Sequence, residues 1–243
     1  MTTSYGRVVV EVGDSAILQD HFIGSLESLR IAEGAVKVLQ IGAGDGRRHD
    51  PIFRYLKMHS DASAVFIEPM HEYFRMLLDN YREKLGSVFL NFAVTPLGGE
   101  QVIHFVDPAA VEDGMVPPWA FGISSITPDR NALRGRKISR EKYAEIKPFL
   151  RTRGIFSVSC EALVSSGLDR GANVLVCDCE GMDAEILLAM PKSFQPSVIR
   201  LEWMLLTDDE KTALSRHLST DYDMRTDGID LVAVRRNPSK AVG

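Results

Sequence analysis

Cysteine is scarce in this 243-residue chain: Cys160, Cys177 and Cys179 are its three thiols, too few for a disulfide framework. Cys177 and Cys179 stand two positions apart in a strand-like run. An extended backbone there holds the side chains too far apart for an unstrained bridge, so reduced core thiols are expected. No CxxC pair and no HExxH accompanies them, and no metal is expected. Long apolar runs are missing too, since no window approaches about eighteen apolar residues free of charge. MTTSYGRVVV lacks the basic start and continuous apolar stretch of a secretory leader, so a cytoplasmic chain without a membrane partner is expected. A GxxxxGK[ST] phosphate loop is absent. So is an excess of basic charge, and the formal charge of −5 argues against a nucleic-acid partner.

With 45% hydrophobic and 25% charged residues, the chain fits one large globular domain over residues 1–243. Its charge is uneven. Between Pro128 and Arg153 nine basic residues (Arg130, Arg134, Arg136, Lys137, Arg140, Lys142, Lys147, Arg151, Arg153) face three acidic ones. A solvated helical face and its approach loop account for this stretch without a dedicated binding patch.

Mixed three- and four-residue spacing of Ile17, Leu18, Phe22, Leu26 and Leu29 predicts an amphipathic helix over 16–33, closed by Gly34, within an N-terminal helical segment 1–35. VKVLQI at 36–41 then reads as a buried strand. The alternation continues with a helix around 47–59, a strand at 64–68, a helix at 70–85 and a strand at 87–94. This predicts an α/β, doubly wound, mostly parallel sheet covered on both faces. GGEQVIHFV suits a hairpin strand. The stretch 107–130 holds four prolines, Trp119 and Phe121 and reads as a segment folding over a site, the start of a lid-like insertion over 107–153. A helix at 139–150 follows. Strands at 173–180 and 197–203 alternate with helices at 182–189 and 208–219. Two strands in succession close the chain, which suggests an antiparallel edge strand inserted beside the last parallel one.

Ligands of such sheets sit outside the carboxyl ends of the strands, where the strand order reverses. The first candidate is Gly42-Ala43-Gly44-Asp45-Gly46, whose glycines let backbone approach a ligand. A dinucleotide fingerprint requires glycine where Arg47 stands, and a tight turn alone explains the segment equally well. Glu68 ends the second strand, placed to accept two hydrogen bonds from a ribose diol. The fourth strand leads into Asp178-Cys179-Glu180-Gly181. Period-two alternation puts Asp178 and Glu180 on one face and Cys177 and Cys179 on the other. Glu180 can serve a ligand or, with Asp183 and Glu185, the macrodipole of the next helix; Asp178 leans toward a ligand.

VLQIGAGDG, VFIEPM, NFAV, FGISS and VLVCDCEGMDAEIL stand in the order and at the spacings of the FkbM family of S-adenosylmethionine-dependent methyltransferases, which the chain resembles over most of residues 36–203. The D-x-E-G block and the upstream N-x-A-V are the most specific parts. The resemblance implies a class I methyltransferase (Rossmann-like) fold of seven strands with the last antiparallel, and S-adenosylmethionine as cofactor. It carries Gly42, Ala43, Gly44 and Asp45 to the cofactor's amino-acid end, and Glu68, followed by Pro69, to its ribose. Asn91 and Ala93 go to the neighbourhood of the adenine, and Ser124 and Ser125 match the family's serine segment. Asp178 falls beside the reacting methyl. The longer connection before the serine segment and the cysteines at 177 and 179 depart from the family pattern, and both bear on the substrate pocket.

The activity this implies is O-methylation of a hydroxyl on a small molecule, sugar or natural-product scaffold. Methyl transfer is an in-line displacement, so the protein has to align the acceptor, exclude water and, for a hydroxyl, supply a base. Asp178 is the first candidate for that base, Glu202 the second, and His49 can also reach the site. The basic segment could suit an anionic or carrier-bound acceptor. Asp178, Glu180 and Glu202 could offer oxygen ligands to magnesium, but capping and hydrogen bonding explain them without a metal. Two other classes share the glycine turn: a nicotinamide-dependent oxidoreductase, which gives no reason for D-x-E-G, and a methyltransferase-like domain that only binds.

Overall fold

Helix formation starts where a side chain can satisfy the first free amides. Asp14 accepts from Ala16 N at 2.7 Å, and α1 (Ser15–Glu33) runs from there to Gly34, which closes it at φ 78° with its N–H on the Arg30 carbonyl. A three-residue strand, β1 (Val9–Glu11), precedes it. The computed structural model describes residues 9–236; residues 1–8, read above as lacking a leader, lie outside them. In chain order follow β2 (Lys37–Ile41), α2 (Phe53–Met58), β3 (Ser63–Ile67), α3 (His71–Tyr81), β4 (Val88–Leu90), β5 (Ala93–Thr95), β6 (Gly99–Val106), α4 (Pro108–Glu112), β7 (Ser124–Ser125), α5 (Arg140–Ile146), β8 (Leu150–Ser159), α6 (Cys160–Ser165), β9 (Val174–Cys177), α7 (Asp183–Ala189), β10 (Val198–Glu202), α8 (Asp208–Leu218), β11 (Tyr222–Thr226) and β12 (Asp230–Arg235).

Eight strands form the central sheet in the order β1-β11-β12-β10-β9-β2-β3-β4. All its pairings are parallel except those of β12, which runs antiparallel between β10 and β11. The expected antiparallel strand is therefore internal to the sheet, and the edge is taken by β1, which brings the count to eight where seven were expected. Alternation along β2, β3, β9 and β10 splits the core by face. Leu39, Ile41, Leu175, Ile199 and Leu201 pack with Leu163, Leu187 and Leu214 of α6, α7 and α8. Val38, Phe66, Val174 and Val198 pack with Phe22, Leu56 and Leu77 of α1, α2 and α3. Ile17, counted above on the apolar face of α1, is exposed.

The predicted strand 87–94 is two strands in different sheets. Asn91 and Phe92 separate β4 from β5, and β5 opens a second sheet of order β5-β8-β6-β7. Its backbone is the long antiparallel pair β6 and β8. The residues between these strands carry a small core of their own, with Val106, Val116, Leu133 and Ile146 packed against Trp119, Phe121 and Tyr143. The helix expected at 47–59 shrinks to α2, because Asp50 accepts from Ile52 N and Phe53 N and starts the helix only there. Among the described residues, no helix is long and apolar enough to cross a membrane.

Candidate active site

The strand order reverses between β2 and β9, and a cavity of about 330 Å³ opens there, outside the carboxyl ends of β2, β3, β9 and β10. The turn after β2 can reach it because Gly42 has no side chain. Gly42 sits at φ 77°, and a Cβ on it would lie 1.9 Å from the Asp178 carbonyl oxygen. Gly46, at φ 67°, is crowded by side chains instead, since its Cβ would meet Leu77 Cδ1 at 2.4 Å.

Most of the turn's amides are engaged within the protein, with no partner for Asp45 N among the described residues. Gly42 N and Ala43 N both donate to the Ile67 carbonyl at 3.0 Å, and Gly46 N donates to the Ala43 carbonyl. Gly44 N donates to Glu68 Oε2 at 2.8 Å, while Arg47 N and Arg48 N donate to Asp45 Oδ1. Glu68, 3% exposed, also takes Met70 N on Oε1 at 2.7 Å. Burial pushes its carboxyl up to about 7 against the pull of these two amides. Each of its oxygens keeps a second lone pair, and the residue is part of the cavity lining.

Of the residues expected at the site, Gly42, Ala43, Gly44, Asp45, His49, Glu68, Pro69, Ala93, Ser124, Ser125 and Asp178 all line this cavity. Asn91 does not: its side-chain amide donates to the carbonyls of Glu68 and Pro69 and braces that loop. Glu202 is not in the lining either. It ends β10 behind the cavity, with Oε2 buried and without a hydrogen-bond partner. Burial, followed by Asp178, Glu180 and Asp183, pushes its carboxyl up. Ser125 is in the lining, but its hydroxyl donates to the Glu180 carbonyl at 2.9 Å and accepts from Thr127 N.

The D-x-E-G turn departs from the period-two expectation because β9 ends at Cys177 and Glu180 adopts φ 51°. Cys177 and Cys179, expected to face away from Asp178, line the cavity with it. They are unbridged, and their sulfurs stand 3.8 Å apart in a thiol hydrogen bond. Asn131 donates to Glu180 Oε2, and Arg130 holds the turn from outside through the Gly181 carbonyl, Glu185 and Glu210. Asp183, fully buried, accepts weakly from Cys179 N and Glu202 N and is pushed up to about 8 by burial and by Asp178. Asp178 is exposed and in the cavity lining. Burial, with Asp230 next, raises its carboxyl, and Arg200 pulls the other way.

Several lining residues escaped the sequence reading. Arg200 Nη2 donates to Asp230 Oδ2 at 2.7 Å, and Gln40 donates to Asp50 Oδ2 at 2.9 Å. Gln40 Oε1 is buried without a partner. The available signal was a polar residue inside an otherwise apolar central strand, Gln40 in VKVLQI and Arg200 in SVIRLEW. In all, six carboxylates (Asp45, Asp50, Glu68, Asp178, Glu180, Asp230) face two arginines, Arg48 and Arg200, around the cavity. Among the described residues, no group of three His, Cys, Asp or Glu side chains has metal-binding geometry.

No protein-family model and no curated protein sequence matches the chain. Among solved structures it is similar to a fibrillarin/Nop5p complex at 13% identity, over 83% of this chain and 73% of that one, with a TM-score of 0.42. It is similar to precorrin-6y C5,15-methyltransferase from Geobacter metallireducens GS-15 at 12% identity, over 94% of each chain, with a TM-score of 0.40. A methyltransferase from Geobacter sulfurreducens gives 11% identity over 95% of this chain and 99% of that one, with a TM-score of 0.39.

Proposed function

We propose that the chain is an S-adenosylmethionine-dependent methyltransferase of the FkbM type its motifs resemble, acting on a hydroxyl oxygen of a small-molecule acceptor. The observation that carries this reading is the chemistry of the cavity at the switch point: six carboxyl groups against two arginines, beside a glycine turn most of whose amides are already engaged. A pyrophosphate would meet repulsion there and few free donors, whereas a cationic ligand would be stabilised. A nicotinamide dinucleotide is disfavoured on the same ground.

S-adenosylmethionine, when bound, supplies an electrophilic methyl on a positively charged sulfur. Gly42 and Gly44 leave the space for close approach, and the remaining lone pairs of Glu68, a lining residue, suit the hydroxyls of a ribose. Asp178 is the group to orient the acceptor hydroxyl and take its proton. Glu202, behind the cavity, is a positioning residue whose backbone N–H meets Asp183. His49 is in the same lining, and Trp119 and Phe121 supply apolar cover that keeps water from the transfer.

Calorimetric titration of the full chain with S-adenosylhomocysteine and with NAD tests the reading. Binding of the homocysteine analogue without NAD is expected, and NAD binding without the analogue would overturn it.

A further inference from the structure

Arg48 is the residue of the glycine turn that the proposed reaction leaves unused. Its guanidinium carbon lies 3.8 Å from the ring centroid of Phe121, a stacked arrangement that suits arginine and not lysine. The ring beneath it is fixed. Tyr73 packs against it at 4.9 Å between centroids and 64° between planes, and the Tyr73 hydroxyl accepts from Gly122 N at 3.0 Å.

Arg200, the other arginine of the lining, is hydrogen-bonded to Asp230 and Gln19. Arg48 has no such partner among the described residues. The nearest carboxylate oxygen, Asp45 Oδ2, is 3.7 Å from its Nε, and the other oxygen of Asp45 already holds the amides of Arg47 and Arg48. The Arg48 side chain is 52% exposed, and its residue is in the lining of the cavity. Next to it, His49 is held at φ 59° with its side chain in the lining, the kind of backbone strain found where a loop is shaped around a ligand. The apolar surface against the guanidinium is the Phe121 ring, and Phe92, Ile103, Trp119 and Ile123 are among the other residues lining the same cavity.

We propose that Arg48, stacked on Phe121, is a carboxylate-recognition subsite at the rim of the cavity, selecting an acceptor that carries a carboxylate on an apolar body. This deepens the methyltransferase reading and rests on it only for the fate of the acceptor's hydroxyl. A planar fork stacked on a ring presents two parallel donors, the geometry of a carboxylate, and the contact to Asp45 at 3.7 Å is too long to occupy them. The acidic remainder of the cavity repels a carboxylate elsewhere, so the acceptor is oriented with its anionic end at Arg48 and its hydroxyl toward Asp178.

The test uses the full chain and three probes with different reach, 4-hydroxybenzoate, 4-hydroxyphenylacetate and 3-(4-hydroxyphenyl)propionate, each against its neutral amide. Binding is measured calorimetrically with and without saturating S-adenosylhomocysteine. At least one acid is expected to bind about tenfold more tightly than its amide. Arg48→Met, which keeps the stem over Phe121, is expected to erase that preference while affinity for S-adenosylhomocysteine is kept. Equal binding of every acid and amide, no binding by any probe, or a preference that survives Arg48→Met overturns the subsite. An acid preference that depends on Arg48 in a chain that fails to bind S-adenosylhomocysteine supports the subsite and removes the methyltransferase reading instead.

Discussion

Gly42 lies directly against the carbonyl oxygen of Asp178, with 1.9 Å between that oxygen and the place a Cβ would take. The first turn and the D-x-E-G turn are thus in backbone contact, and each limits the other. Because the obstacle is backbone and Gly42 is at φ 77°, neither a rotamer change nor a small shift relieves it. Gly42→Ala is expected to destabilise the fold by roughly 2–5 kcal/mol and to abolish binding of S-adenosylhomocysteine. Urea unfolding and calorimetry check it, and a variant with wild-type stability would show that the two strand ends part freely.

The raised Glu68 carboxyl makes stability depend on pH. Burial lifts it from 4.5 to about 7, so between those values the folded chain keeps a proton that the unfolded chain releases. Stability therefore falls as pH rises through this window, by about 3 kcal/mol in total from this group, and the loss is complete above it. Glu68→Gln should flatten the slope between pH 5 and 8 and leave one of the amides of Gly44 and Met70 without its acceptor, at about 1 kcal/mol. Denaturation midpoints at pH 5, 6, 7 and 8 measure both, and parallel slopes in the two proteins would refute the assignment.

Asp178 must be ionised to accept a proton, and its carboxyl is raised by burial and by Asp230. Turnover is expected to rise with pH through that elevated value. Asp178→Asn should lower turnover about a hundredfold or more while S-adenosylhomocysteine still binds. Unchanged turnover would remove Asp178 from the chemistry.

A cationic ligand favours ionised carboxylates, so S-adenosylmethionine is expected to bind more tightly at pH 8 than at pH 6 and to release protons on binding. Calorimetry in two buffers of different ionisation enthalpy counts those protons. Proton uptake would contradict the electrostatic account of the cavity.

The thiols should be inert despite their place at the site. The hydrogen bond to Cys179, then burial, raises Cys177 well above its ordinary value. The same bond lowers Cys179, but burial and the carboxylates of Asp183 and Asp178 leave it raised. Burial pushes Cys160 up to about 11. Few thiolates form at neutral pH, so iodoacetamide should modify none of the three in the folded chain and all three in urea. Rapid labelling of Cys177 or Cys179 in the native state would overturn this.

Strand periodicity made the doubly wound core legible in the sequence, since buried parallel strands must be largely apolar: β9 is so throughout, β3 after its first residue, and β2 and β10 are interrupted inside by Gln40 and Arg200 alone. The order of motifs likewise brought Gly42, Glu68, Ala93, Ser124 and Asp178 to one cavity. What was not legible depends on partners remote in sequence. NFAV reads as one strand, yet Asn91 turns back to the carbonyls of residues 68 and 69, and the chain changes sheets there. The basic stretch gives no hint that Arg130 meets Glu185 and Glu210. Cys179 could not be placed by alternation, because the strand ends two residues before it. Asp50 and Asp230 look like ordinary turn and strand-start residues until the fold brings Gln40 and Arg200 to them.

The antiparallel run of β12 has a topological consequence. A parallel strand begins at the far side of the sheet, so only its last residues can reach a ligand. β12 enters from the opposite direction, with Asp230 opposite Glu202 in the register, so its first residue arrives where the other strands finish. The hairpin of β11 and β12 therefore acts as a tether: the counter-charge of Arg200 comes from the end of the turn between them, and the cavity's charge balance is completed only when β12 has docked.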